Sequence, residues 1–160
     1  MLKDMTEKQK KKKKKVLDSL SAQCSRREYC RKDVAAKALK ALEGDAEAAG
    51  EVVEALVADG FVDESRYAGA FAREKARLSG WGPMKISAAL SAKGLSREVI
   101  REAIAGIDPG EADAKLEAVL RAKYRSVEGE KDAKLRLLRF ALQRGYGYDK
   151  VKQFVDDITG

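Results

Sequence analysis

The side chains able to act on another molecule are mostly cations. The 160 residues carry 33 Lys plus Arg against 26 Asp plus Glu and no His, a formal net charge of +7. Without His, imidazole acid–base catalysis, imidazole metal ligation and the Ser-His-Asp arrangement are excluded. The two cysteines, Cys24 and Cys30, are too few for a disulfide scaffold or a four-cysteine zinc site. Cys30 stands beside Arg31 and Lys32 at a helix start, where a thiol pKa can fall; a capping or packing role is the preferred account. Asp63-Glu64 and Asp156-Asp157 lack further ligands at metal-binding spacing and suit solvated helix caps better. The stretches Ser79-Gly80-Trp81-Gly82 and Arg144-Gly145-Tyr146-Gly147 match neither phosphate-loop pattern, and no strand precedes them. No residue set is equipped for catalysis, and no cofactor or metal is implied. What is left is binding through charge.

That charge is unevenly spread. Residues 1–15 hold eight lysines against Asp4 and Glu7, a net of +6. Residues 16–59 sum to −3, residues 60–105 to +3 and residues 106–160 to +1. The body is near neutral, with an acidic first third and a basic middle. The run Lys10, Lys11, Lys12, Lys13, Lys14, Lys15 repels itself and is expected to be disordered in a tail over 1–15. It is a candidate for sequence-independent phosphate contacts; a merely solubilising tail is the alternative.

Two further basic strips are candidate contacts. Arg66, Arg73 and Arg77 share a face of a helix over 65–78, and Lys85, Lys93, Arg97 and Arg101 extend the basic middle. Lys131, Lys134, Arg139, Arg144 and Lys150 form a second group near the C-terminal end. Each strip either meets phosphate or an acidic groove, or is a solvated face balanced by neighbouring carboxylates. Asp63, within one turn of Arg66, gives that arginine a structural alternative. Trp81, Tyr146 and Tyr148 lie in glycine-flanked turns. Turn aromatics near cations can stack on unpaired bases, but packing over a helix end is favoured.

The elements that must position these residues are helices. Apolar residues recur at helical spacing over 16–24, 32–42, 51–59, 65–78, 83–93, 97–105, 111–124, 131–144 and 149–158. No segment sustains a period of two, so no sheet is expected. Asp108-Pro109 with Glu111 has capping-box spacing, and Gly82-Pro83 and Ser96 mark further starts. Gly60-Phe61, Gly94-Leu95 and Gly145-Tyr146 read as helix ends whose next apolar residue folds back. These ends lie 34 and 51 residues apart, which breaks a tetratricopeptide period. The expected fold class is all-α: tandem three-helix repeats stacked into an elongated, curved body. A lead-in helix and first repeat occupy 16–60, the second repeat 61–106 and the third 107–160. Apolar runs are too short to span a bilayer, and the basic start lacks the apolar core of a signal peptide. A cytoplasmic location is expected.

Four stretches resemble the RecX family, bacterial modulators of the RecA recombinase. They are Cys30-Arg-Lys-Asp-Val-Ala-Ala-Lys-Ala-Leu39; Gly60-Phe-Val-Asp-Glu-Ser-Arg-Tyr-Ala68; Gly80-Trp-Gly-Pro with Ile86 and Leu90-x-x-Lys93-Gly94-Leu95-Ser96; and Arg139-Phe-Ala-Leu-Gln-Arg144-Gly-Tyr-x-Tyr-Asp149-x-Val151. They follow the family's order and spacing over about residues 25–158. Cys30 replaces a usual Ser cap, Val62 a usual Leu and Ala141 a usual Leu. The lysine run lies outside the match. The resemblance implies a non-enzymatic regulator, expected as a monomer, that lodges in the groove of the RecA filament on single-stranded DNA. It further implies reduced filament growth, ATP turnover, strand exchange and co-protease activity, and so modulation of DNA repair and the SOS response. Double-stranded DNA is a further possible ligand. A stand-alone nucleic-acid binder and a helical scaffold for another protein are the competing functions.

Overall fold

A computed structural model describes residues 6–160. Among these residues there is no strand, and nine α-helices follow one another: α1 Glu7–Arg26, α2 Arg31–Ala41, α3 Ala46–Ala58, α4 Glu64–Glu74, α5 Pro83–Ala92, α6 Arg97–Ala105, α7 Pro109–Val127, α8 Ala133–Gln143 and α9 Tyr148–Thr159. The all-α expectation holds. None of these helices is long and apolar enough to cross a membrane.

One expectation fails at the start of the chain. The stretch 1–15 was expected as a disordered tail; residues 1–5 lie outside the described residues, but α1 begins at Glu7 and carries the whole lysine run. Local chemistry explains it. The Thr6 hydroxyl accepts from the Gln9 amide, and the Gln9 side chain accepts from the Thr6 amide, a reciprocal cap that satisfies two free donors. Lysine is itself a good helix former. Carboxylates then offset the repulsion: Lys12 pairs with Glu43 at 2.9 Å, Lys10 approaches Glu7 at 3.8 Å, and Lys13 pairs with Glu51.

Two compact units divide the chain, residues 1–67 and 68–160, with the boundary inside α4. In the first unit, α1, α2 and α3 close over Leu20, Val34, Ala38, Val52 and Leu56. Burying each Leu or Val of that set contributes about 1.5–3 kcal/mol before entropy is counted. In the second unit, α7, α8 and α9 close over Leu116, Leu120, Leu137, Val151 and Val155. There α5 packs on α6 and buries Ile86, Leu90, Ile100 and Ala103.

The punctuation matches the residues that foretold it. Ser96 accepts from the Val99 amide and Asp108 from the Glu111 amide. Asp45 caps α3 in the same way and starts it five residues before the expected position. Cys30 takes the N-cap position of α2 without a side-chain cap bond. Gly60, Gly94 and Gly145 all have positive φ. The amides of Phe61, Leu95 and Tyr146 bond back to the carbonyls of Leu56, Leu90 and Ala141. Three helices thus end in one motif, each folding an apolar residue onto the turn it leaves.

Within the second unit, the Gly145 turn meets the turn at Gly82 backbone to backbone. The Gly82 amide donates to the Arg144 carbonyl at 2.7 Å, and the Met84 amide to the Gly145 carbonyl at 3.0 Å. A Cβ on Gly82 would lie 2.4 Å from the Gly145 carbonyl carbon, and one on Gly145 would lie 2.4 Å from the Lys85 nitrogen. Glycine is required on both sides of this seam. Gly145→Ala is expected to cost on the order of 3 kcal/mol, from overpacking plus a positive φ, and Gly82→Ala a similar amount. Gly147→Ala, with open space around it, should cost less than about 1 kcal/mol. Urea denaturation followed by circular dichroism checks the order; equal midpoints for the three variants would remove the seam as a constraint.

Candidate functional site

The cations sort by what already neutralises them. Arg66 is consumed by the fold: Nε donates to Glu28 at 2.7 Å, Nη2 to the carbonyls of Gly60 and Phe61, and its amide to Asp63. That guanidinium satisfies the carbonyls that the end of α3 leaves open, so it is a strut of the first unit. Lys134 pairs with Asp156 at 2.6 Å and Lys150 with Asp113 at 2.7 Å. Lys10, Lys12 and Lys13 are paired along α1, and Lys93 is half-buried with a partner inside the protein. The Lys12 ammonium holds the Glu43 carboxyl below its ordinary pKa through a hydrogen bond and charge, and Lys134 does the same to Asp156. Such exposed pairs stabilise little, typically under about 1 kcal/mol each, but they lower the charge a partner meets.

Among the described residues, Arg73, Arg77, Lys85, Arg97, Arg101, Lys131 and Arg139 are exposed and form no ion pair. Lys11, Lys14 and Lys15 are likewise exposed and unpaired on α1. The two expected strips therefore survive only in part. Of their free members, Lys85 lies against Trp81, and Arg73 and Arg77 line a hollow nearby in the second unit.

That region is organised by a break in helical geometry. After Glu74 the chain continues as a π-helical turn, Lys75–Ser79, ended by Gly80 in the left-handed conformation. The Trp81 amide closes it by donating to the Lys75 carbonyl at 3.0 Å. Widened turns of this kind recur at functional sites because they re-aim side chains. Here Leu78 is left 68% exposed and Trp81 is half-buried edge-on to Phe71, ring centroids 6.2 Å apart. The Lys75 and Lys85 ammonium groups lie 4.9 and 4.5 Å from the Trp81 ring centroid.

A second aromatic gathers the rest. The Arg144 guanidinium lies 4.8 Å from the Phe140 ring centroid and donates to the Ser79 carbonyl at 2.8 Å; Lys123 approaches the same ring at 5.3 Å. Around Gly80, a Cβ would touch Val119, Lys115 and Arg144 within 3.4 Å. Lys75, Lys85, Lys115, Lys123 and Arg144 thus cluster about Trp81, Gly80 and Phe140, with no carboxylate paired to any of them among the described residues. Cation–π contacts of this kind contribute about 0.5–1 kcal/mol each when exposed. They hold the ammonium groups in place without cancelling their charge.

Beside the cluster lies an apolar cleft of about 310 Å³, walled by Trp81, Pro83, Ile104, Ile107 and Tyr146, with the Lys150–Asp113 pair at its rim. Burial pushes the Tyr146 hydroxyl pKa up, in keeping with a packing role. A neighbouring hollow of about 240 Å³ shares Ala76, Ile107 and Ala112 with the cleft and brings in Arg73 and Arg77, facing Asp108 and Glu111. The arrangement can bind an anionic surface that also offers an apolar side chain. Burial raises the Cys24 thiol pKa, which leaves it protonated and inert.

Sequence reasoning missed Lys75, Lys115 and Lys123. Lys75 looked like one more charge on an ordinary helix, because the π-helical turn leaves no mark in an apolar period. Lys115 and Lys123 are eight residues apart on α7, a same-face spacing that could have flagged them.

The description "RecX, second three-helix domain" matches residues 63–104. The regulatory protein RecX of Chromohalobacter salexigens is 32% identical over 129 residues, covering 80% of this chain and 82% of that protein. The chain belongs to the RecX family. RecX of Halorhodospira halophila is 31% identical over 140 residues, with 86% and 84% coverage. The match to Clostridium botulinum RecX, 32% identical, covers 71% of this chain and 54% of that protein, so the chain spans about half the length of that relative. Crystal structures carry the same fold: RecX from Lactobacillus salivarius superposes with a TM-score of 0.80 at 18% identity, covering 93% and 97% of the two chains.

Within the RecX second three-helix domain fall Lys75, Trp81, Lys85, Arg73 and Arg77, whereas Lys115, Lys123 and Arg144 come from the helices after it. Residues inside the matched stretch and residues after it therefore build one surface of this RecX chain. Arg66, also inside the matched domain, is expected to behave differently from them. Arg66→Ala should destabilise the protein by about 1 kcal/mol, because it removes the donors to Glu28 and two carbonyls at a site where water can replace them only in part. Thermal unfolding checks this; an unchanged midpoint would return Arg66 to the list of free contact residues.

Proposed function

We propose that this chain is a non-enzymatic regulator that binds the RecA filament on single-stranded DNA and restrains its ATP turnover, strand exchange and co-protease activity. The observation that supports this is the free cation cluster around Trp81 beside the apolar cleft and Arg73 and Arg77. A filament groove presents both nucleic-acid phosphate and protein surface. Phosphate draws on Lys75, Lys85, Lys115, Lys123 and Arg144. A protein neighbour draws on the apolar cleft, where one large side chain can be desolvated, with Arg73 and Arg77 fixing its charged surroundings. Arg97, Arg101, Lys131 and Arg139 would add long-range attraction rather than fixed contacts. Binding as a monomer within the bacterial cytoplasm, where RecA acts, is part of the same proposal.

The competing function is a stand-alone nucleic-acid binder, favoured by the exposed Lys11, Lys14 and Lys15 on α1. Salt separates the two. Phosphate binding alone weakens steeply with ionic strength through counterion release, whereas a desolvated apolar contact persists.

The test is RecA ATP hydrolysis on single-stranded DNA at moderate salt, titrated with this protein. Inhibition is expected, and the double variant Arg73→Glu with Arg77→Glu should raise the half-inhibitory concentration by about tenfold or more with unchanged circular dichroism. No inhibition by the parent protein, with binding to bare DNA retained, overturns the filament function. Inhibition that the double variant leaves intact removes the Arg73–Arg77 surface from it.

A further inference from the structure

The first unit carries a groove of its own that plays no part in the function just proposed. It runs between α1 and α2 as a shallow, open hollow of about 550 Å³. From α1 it takes Lys12, Lys15, Val16, Ser19, Leu20 and Gln23; from α2 it takes Lys37, Lys40 and Ala41. The α1 positions fall on one helical stripe about 16 Å long, roughly three turns.

Its chemistry is layered. Val16, Leu20 and Ala41 make an apolar floor. Lys12 and Lys15 line one edge and Lys37 and Lys40 the other. Lys15 and Lys40 are exposed and unpaired among the described residues, and Lys37 is steadied 5.3 Å from the Tyr29 ring centroid. Glu43, paired with Lys12, is the one carboxylate in contact with these four lysines among the described residues.

We propose that this groove docks an acidic amphipathic helix from a protein partner. Such a helix lays its apolar stripe on Val16, Leu20 and Ala41 and sets carboxylates on both flanks against the lysine edges. Single-stranded nucleic acid fits less well. No aromatic side chain lines the groove for bases to stack on, and a sugar–phosphate chain has nothing to gain from an apolar floor between its charges. The edges carry lysine alone, which suits an exchangeable contact more than bidentate phosphate recognition. A partner helix also extends the bundle of α1, α2 and α3 by the packing that already holds it together.

The test uses fluorescence anisotropy with the full chain and three labelled probes. The first is a peptide of about 18 residues, five helical turns, with Leu at one-face spacing and Glu on the flanks. The second is the same peptide with every Leu replaced by Ser. The third is an oligothymidylate of equal length. The Leu/Glu peptide should bind, and the Ser peptide should bind at least about fivefold more weakly. Lys37→Glu with Lys40→Glu should weaken the first peptide about tenfold or more, and Ala41→Gln, which changes no charge, about threefold or more. Circular dichroism confirms that each variant is folded, and Lys15→Glu repeats the charge test from the opposite edge. Absence of binding by the first peptide overturns the proposal. Equal binding of the Leu and Ser peptides, or oligothymidylate displacing the first peptide and losing affinity equally in the charge variants, overturns it in favour of a polyanion site.

Discussion

The second unit depends on the contact of two glycines. Helices α5 and α9 begin at neighbouring turns because Gly82 and Gly145 let two backbones approach within hydrogen-bonding distance. Several residues of that surface take their positions from the seam. Trp81 precedes Gly82, Lys85 lies under Gly145, and Arg144 reaches across to the Ser79 carbonyl. A backbone seam is a stricter ruler than side-chain packing, since neither partner can change rotamer to relieve a clash. The cost is that two positions are closed to every other residue. The gain is a surface drawn from helices far apart in sequence and joined by backbone hydrogen bonds.

Both units hold their cations in two ways. Carboxylates pair with Lys12 and Lys13 in the first unit and with Lys134 and Lys150 in the second. Aromatic rings hold Lys37 in the first and Lys85 and Arg144 in the second. An ion pair reduces the charge a ligand meets, whereas a ring contact orients an ammonium group and leaves its field intact. Equal numbers of lysines can therefore mean unequal binding capacity, and counting net charge by segment conceals the difference. The near-neutral sum of the last 55 residues hides Lys115, Lys123 and Arg144 for that reason.

Much of the fold was legible in the sequence. Nine helices, the Asp108 and Ser96 caps and the glycine ends at 60, 94 and 145 all rest on local rules, and local rules need no knowledge of neighbours. The failures share the opposite cause. The lysine run looked disordered because its stabilising carboxylates, Glu43 and Glu51, are some thirty residues away or more. Arg66 looked like a contact residue because Glu28 lies 38 positions earlier. Trp81 was read as packing, and it does pack against Phe71; what the sequence withheld was that two lysines also reach its ring. The candidate cations were found by type, but which of them remain free is a tertiary fact.

The π-helical turn at Lys75–Ser79 has a consequence for how such proteins diverge. A helix that accommodates one surplus residue has in effect absorbed an insertion without shifting the helices on either side. Within the turn, side chains take bearings that the roughly 100° step of an uninterrupted α-helix would not give them. Loss of one residue here would restore ordinary winding and give Leu78 a new bearing, while Phe71 and the helices on either side keep theirs.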